Sequence, residues 1–385
     1  MRPNSILKKG LVVGIILLFI ETAIIPSTAQ NIEKTSSISR SHWLYVGGSG
    51  PGNYTRIQDA INDSQNGDTV FVYDDSSPYL ESVKINKSIL LKGENKDTTV
   101  ISGNESINTV DFDTNNINLT GFTIKNGHYA ITNNDVNISN CTVFNNLIDD
   151  NYAGMWFEKT YNMTIIQNYF FKNYFALNIE NSHHIVMSSN TIKFNFEGVE
   201  MAGNENVTIS LNTIELNSDI GMRFYLSHIS IVNNYKILRN SIKNNYYGIV
   251  NEESGIFKDN IVESNHVGFN FFYCDDTEIS SNVIKNNSVG VTIHDGNHNK
   301  IIMNNFIQNE RDATFFYELH LGFRRPQNVF RQNYWDTTTL LGPKSIKGQL
   351  FFYVVLWYNS IMIRIPWFCF DWFPATEPYN IPRMR

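Results

Sequence analysis

Cysteine is scarce, with three residues in 385, and Cys141, Cys274 and Cys369 show neither Cys-x-x-Cys spacing nor an even count. That excludes a disulfide scaffold and a zinc site built on cysteine pairs. Charge is scarce too, at 17%, and the net charge of −7 comes without a basic patch, which argues against a nucleic-acid partner. The apolar runs Leu11–Ile20 and Leu350–Tyr358 are short for a helical membrane span. No nucleophile elbow, phosphate loop, zinc spacing or dinucleotide fingerprint stands out. A chain this poor in charge, yet 13% aromatic and rich in β-branched residues, reads as β structure and not as disorder.

What the chain has in abundance is asparagine, roughly 50 residues. It recurs in a pattern: Asn190-Thr-Ile-Lys-Phe-Asn195 with Gly198, Asn212-Thr-Ile-Glu-Leu-Asn217 with Gly221, then units starting at Asn240, Asn260 and Asn282. Successive first asparagines lie 22, 28, 20 and 22 residues apart. A fixed period near 22 means stacked supersecondary units. Each unit alternates apolar and polar residues as half-buried strands do. Asn, Gly, Ser and Asp between the strands suit corners that need left-handed backbone. The expectation is an all-β fold, a single-stranded parallel β-helix, with asparagines of one column forming an interior amide ladder about 4.8 Å per rung. Aligned coils give a first column of Phe122, Cys141, Asn168, Asn190, Asn212, Asn240, Asn260, Asn282, Asn305 and Asn333. The small-residue column reads Ala130, Gly154, Ala176, Gly198, Gly221, Gly248, Gly268, Gly290 and Ala313. Leu147–Tyr152, Ser227–Tyr235 and Glu318–Pro326 are expected to leave the barrel as loops. Cys141 and Cys274 fall about five coils apart, too far for a disulfide.

Residues 1–29 read as an export signal: Arg2, Lys8 and Lys9 precede the apolar run, and Ser27-Thr-Ala29 offers a cleavage site before Gln30. An uncleaved anchor is the alternative. Ten Asn-x-Ser/Thr sequons, at Asn53, Asn62, Asn86, Asn104, Asn118, Asn137, Asn140, Asn162, Asn206 and Asn286, fit an exported chain found outside the cell or on its surface. Residues 30–42 form a polar linker. A short helix with Thr55 as N-cap is expected to carry Ile57, Ala60 and Ile61 on one face and to cover the raw end of the solenoid. The β-helix then runs over 43–345, and 346–385 form an aromatic C-terminal cap, alternatively a patch that docks on a membrane surface or a partner.

The segment Tyr54-Thr-Arg-Ile-Gln-Asp-Ala-Ile-Asn62, followed by Gly67-Asp-Thr-Val-Phe-Val72 and Ile85-Asn-Lys-Ser-Ile89, resembles the N-terminal part of pectin-lyase-like right-handed parallel β-helix proteins. In particular it is similar to the NosD-like group of exported, PbH1-repeat surface proteins, and Asn333-Tyr-Trp-Asp336 and Glu377-Pro-Tyr-Asn-Ile381 resemble that group's closing motifs. The resemblance spans about residues 43–381. It implies fold and export, but no particular activity. The Asp/Gly-rich stretch that usually follows the closing motif is missing, and with it the basis for a calcium site there.

Few residues invite a metal. His183-His184 with Met187 suggests copper, a metal to which the group's name is tied, but a solvated turn explains them better. Asp275-Asp276 with Glu278, and His294-Asp295 with His298, are weak candidates for a surface cation; no cofactor is expected. The strongest candidate site lies two and four residues after successive small residues: Trp156 and Glu158, Asn178 and Glu180, Glu200 and Ala202, Arg223 and Tyr225. Side chains two apart on a strand share a side, so these positions form one outward strip on four rungs. Aromatic rings beside acids and an Arg suit carbohydrate. Trp156, Asn178 and Tyr225 are the expected ligand contacts, and Glu158, Glu180, Glu200 and Arg223 the residues that would carry catalysis. The leading expectation is an interaction module for a surface glycan or polysaccharide. A polysaccharide lyase or glycoside hydrolase is the alternative, and a purely structural envelope protein comes third.

Overall fold

The computed structural model describes residues 42–225, 234–319, 327–336, 342–356 and 359–381. The chain winds through three sheets of parallel strands, visited in turn on every coil. A representative coil has His183–Ser188 in the first sheet, Thr191–Lys193 in the second and Glu197–Ala202 in the third. Among the described residues the sheets hold 13, 12 and 13 strands. Every pairing between coils is parallel and in register, as in Ile185↔Val207 and Ile192↔Ile214. Apolar residues of alternating parity fill the interior, among them Ile165, Phe170, Ile179, Ile192 and Met201, all 0% exposed.

The corners are held by asparagine. Between the first and second sheets, each ladder side chain accepts from the backbone N–H and the amide of the preceding coil. The line runs Asn146, Asn168, Asn190, Asn212, Asn240, Asn260, Asn282, Asn304, Asn333, with backbone N to Oδ1 distances of 2.8–3.1 Å. The predicted column Asn190, Asn212, Asn240, Asn260, Asn282 is therefore interior, and each member is at most 1% exposed. A second ladder at the next corner runs Asn151, Asn173, Asn195, Asn217, Asn245, Asn265, Asn287, Asn309 at 2.9–3.2 Å. Buried amides placed this way have their hydrogen-bonding capacity met, and that removes the penalty for burying them.

The alignment of the columns needs correction at four places. Cys141 does not stand in the ladder; it faces Met163 in the apolar column of the first sheet, and Asn146 takes the ladder position. Asn304, not Asn305, continues the ladder, because Asn305 bonds Tyr379 instead. The small-residue column ends at Asp312, since Val291 pairs with Ala313. Within the expected loop Leu147–Tyr152, residues Leu147–Asp149 are a strand of the second sheet. The expected loops at 227–235 and 318–326 fall mostly outside the described residues. No disulfide joins Cys141, Cys274 or Cys369.

Left-handed backbone at the corners does not fall on the ladder asparagines. It falls on the residue just before each, including Leu211 (φ 59°), Leu216 (59°), Phe194 (58°) and Met303 (53°). A bulky residue held there costs about 1–2 kcal/mol, which the ladder hydrogen bonds must offset. Small residues at the head of the third-sheet strands have a steric cause: a Cβ on Gly198 would lie 2.2 Å from the Gly221 carbonyl oxygen.

The helix Ile57–Asp63 (α1) buries Ile57, Ala60 and Ile61. Its N-cap is Arg56 rather than Thr55, with no side-chain cap of its own. The Glu81 carboxylate closes that end instead, accepting from Ile57 and Gln58 N–H at 2.9 and 3.1 Å. At the other end Lys344–Leu356 adds a parallel strand to the third sheet, and Asn359–Asp371 pairs antiparallel with it. Asp371, 0% exposed, ends the first ladder: its carboxylate accepts from Asn333 N–H at 2.9 Å, Gln332 N–H at 3.1 Å and the Trp335 indole at 3.1 Å. A ladder that ends in donors is completed by a group that only accepts.

Candidate functional site

The register places the eight strip residues in two columns. Trp156, Asn178, Glu200 and Arg223 pair in succession, as do Glu158, Glu180, Ala202 and Tyr225. Small residues at fixed offsets keep the coils in phase, so sequence spacing carries over directly into space.

The outward face is not an ordinary wet surface. Asn178 is 1% exposed and Glu200 8%. Asn178 donates to Glu200 at 3.1 Å, and the Arg223 guanidinium bonds Glu200 at 3.1 Å. Arg223 also lies 3.6 Å from Glu197, which is 8% exposed. Glu197 is not among the residues that the sequence pattern marks. It stands three residues before Glu200, off the two-residue period, at the first position of the same strand. Two buried carboxylates on one guanidinium are held by charge and by hydrogen bonding together. Burial pushes the Glu197 carboxyl up, against the pull of Arg223.

Glu158 and Glu180 sit directly opposite one another. Burial, and then the neighbouring Glu158 charge, push the Glu180 carboxyl above its ordinary range. Glu158 moves the other way, because the adjacent Lys159 ammonium lies 2.6 Å from it. One column thus holds two carboxyls with opposite proton preferences, an arrangement suited to acid and base roles on a single substrate. Burial, helped by the Glu200 and Glu180 charges, pushes the Tyr225 phenol up to about 12, so it remains a hydrogen-bond donor. Beyond Lys159 the surface opens into a recess of about 480 Å³ lined by Asn115, Asn137, Ser139, Lys159, Asn181 and His183.

Trp156 does not stand free. It stacks on Tyr129 (centroids 5.3 Å apart, 17° between planes) and meets Phe175 edge-on. Alongside, His128, Tyr152, Tyr174 and Phe196 form a continuous stack with spacings of 4.8, 5.6 and 4.6 Å. Rings stacked along the solenoid axis turn their faces to one another and their edges to solvent.

The weak metal candidates have other partners. His183 begins a strand rather than lying in a turn, and its Nδ1 is 3.2 Å from Glu205. The Asp275 carboxylate accepts from Asn297 N–H at 2.8 Å. His294 is stacked between Phe272 and Phe316, and burial lowers its pKa. Asp276 and His298 are exposed, each with a left-handed backbone. No group of three or more His, Cys, Asp or Glu poised for a metal occurs among the described residues.

Parallel coils, amide-lined corners and a polar strip on an outer sheet face define a β-helix protein. The family model described as right handed beta helix region matches residues 109–255 and 154–307, together just over half of the chain, and the chain belongs to that family. The cell surface glycoprotein of Methanothermus fervidus is 30% identical over 106 residues, which is 27% of this chain and 17% of that protein. The match therefore spans well under two thirds of that relative's length. Among solved structures, the A-module of the mannuronan C-5 epimerase AlgE6 from Azotobacter vinelandii superposes with a TM-score of 0.59 at 13% identity, covering 72% of this chain and 87% of that one. The A-module of AlgE4 from the same organism gives 0.58 at 14% identity, covering 68% and 85%. At such identities the likeness is one of fold.

Proposed function

We propose that this chain is an exported cell-surface β-helix protein whose third sheet binds carbohydrate across Trp156, Asn178, Glu180, Glu200, Arg223 and Tyr225. The carrying observation is the hydrogen-bonded group Asn178–Glu200–Arg223 on an outer sheet face, with Asn178 and Glu200 almost wholly withdrawn from water. Preorganised amide, carboxylate and guanidinium groups match sugar hydroxyls, and Trp156 and Tyr225 flank them with apolar surface. Export is supported by the basic and apolar pattern of residues 1–29 and by the stretch shared with a cell surface glycoprotein. The test is a glycan-array screen of residues 30–385, followed by calorimetry on any hit. If no oligosaccharide binds, the reading fails.

A hydrolytic reading rests on a separate observation: Glu158 and Glu180 stand directly opposite one another on adjacent coils, one paired with Lys159 and the other raised by burial. In it Glu180 keeps its proton for a leaving glycosidic oxygen while a second carboxylate acts on water or on the sugar. Glu180→Gln then abolishes turnover while binding persists; release of reducing ends by the variant at the wild-type rate contradicts it. A lyase is less well served, because Arg223 is engaged by two carboxylates and not poised as a base.

A further inference from the structure

Five of the ten sequons, at Asn118, Asn137, Asn140, Asn162 and Asn206, lie on first-sheet strands or on the residue leading into one. None lies on a third-sheet strand among the described residues. The seventeen asparagines of the two ladders include none either: the residue two beyond each is never Ser or Thr, and after every Asn of the first ladder it is a buried apolar residue. The sequons are thereby sorted by the fold, and three of them are also aligned by it. Cys141, Met163, Ile185 and Val207 pair in succession, so Asn140, Asn162, His184 and Asn206 form one outward row. All four are exposed and all four are left-handed, with φ of 55°, 55°, 59° and 54°. The hydroxyl residues of the three motifs, Thr142, Thr164 and Thr208, make a parallel row two residues on, with Val186 in the His184 coil. The Asn162 amide nitrogen reaches the Asn140 Oδ1 at 2.8 Å, which shows that the two side chains point the same way into solvent.

We propose that Asn140, Asn162 and Asn206 are N-glycosylation acceptors, a sugar-bearing row on the first sheet that leaves the third sheet bare for its own ligand. The proposal rests on the export reading, since the modification belongs to chains that leave the cytoplasm. In the transfer, the Asn Nδ2 forms a bond to the anomeric carbon of a glycosyl phosphate donor. The bond from that carbon to the phosphate oxygen breaks, and the amide proton departs with the released phosphate, so one N–H and one C–O bond become one N–C and one O–H. A repeating register then does for attached sugars what it does for the ladders, setting them at multiples of the rung spacing, about 4.8 Å.

The test is peptide mapping by mass spectrometry of the protein isolated from its native cells, with the fraction it came from recorded. Peptides bearing Asn140, Asn162 and Asn206 are expected to carry hexose or N-acetylhexosamine increments, and those bearing Asn168, Asn190 and Asn212 none. In cells producing N140Q/N162Q/N206Q, gel mobility is expected to rise while the far-ultraviolet circular dichroism and oligosaccharide binding stay those of the wild type. Exported protein with all three asparagines unmodified overturns the proposal and leaves the export reading intact. Protein recovered only from the cytoplasm overturns the export reading, and this proposal with it.

Discussion

The third sheet keeps one register from end to end, yet its two halves are chemically unlike. In the first half the outward columns hold Trp156–Asn178–Glu200–Arg223 and Glu158–Glu180–Ala202–Tyr225. In the second half the first of these columns continues as Val250–Asn270–Thr292–Thr314, and Phe272–His294–Phe316 lie beside it. There the rings stack at 4.5 and 5.0 Å, within 18° of parallel. The backbone is the same in both. Rings stack in both halves, Trp156 on Tyr129 in the first; what differs is that the first half also joins charged and amide groups across its outward columns, which a ligand can share. A solenoid separates stability from function in this way because each coil touches only its neighbours.

The largest effect is expected at the far end of the solenoid. Trp335 is 1% exposed, stacks on Phe306 at 4.2 Å and bonds Asp371. Trp335→Ala is expected to cost about 3–5 kcal/mol, read as a lower denaturant midpoint, while the folded fraction keeps its glycan affinity. A loss of affinity would tie the two halves together.

Between the halves sits Glu253, 2% exposed, its carboxyl pushed up to about 7 by burial and by Glu252. A raised folded pKa means the native state holds the extra proton. Its stabilising contribution is full below about pH 4.5 and is lost as pH rises towards 7, on the order of 3 kcal/mol in total. Stability measured across that window is expected to fall with pH in the wild type and to be flatter in Glu253→Gln. Glu180 adds to the trend with the same sign.

Asn240→Leu probes the ladder that both halves share. It removes the acceptor for Asn212 N–H and Nδ2, at 3.0 Å each, at an expected cost of about 1–3 kcal/mol in thermal or denaturant unfolding. The smallest effect is expected at Phe272→Ala, which loses one stacking contact worth about 0.5–1.5 kcal/mol. Oligosaccharide affinity should not change.

The period near 22 made the solenoid legible, and the small residues made the strip legible, because a constant offset from a steric landmark is a register. Errors came where a second residue could take the landmark's place: Asn304 beside Asn305, Asp312 beside Ala313, Asn146 a few residues past Cys141. Glu197 escaped because it stands an odd number of residues from Glu200, and the two-residue period assigns such a position to the other side of the strand. The Asp371 terminus escaped because it lies 38 residues beyond Asn333, and nothing local marks an Asp as an acceptor for a distant ladder. The Tyr129 ring under Trp156 escaped for a different reason. It belongs to the preceding rung and a neighbouring column, so neither strand spacing nor coil alignment places the two rings face to face.

On this reading a glycan sits on the half of the third sheet that carries Glu200 and Arg223, and not on the half that carries Phe272 and His294. Calorimetry of wild type, Trp156→Ala and Phe272→Ala with the best oligosaccharide from an array tests it most directly. Removing the indole that borders the Asn178–Glu200–Arg223 group should weaken binding about tenfold, near 1.4 kcal/mol, while Phe272→Ala binds as the wild type does. Equal binding by all three, or a loss confined to Phe272→Ala, would rule out a site on the Glu200–Arg223 half.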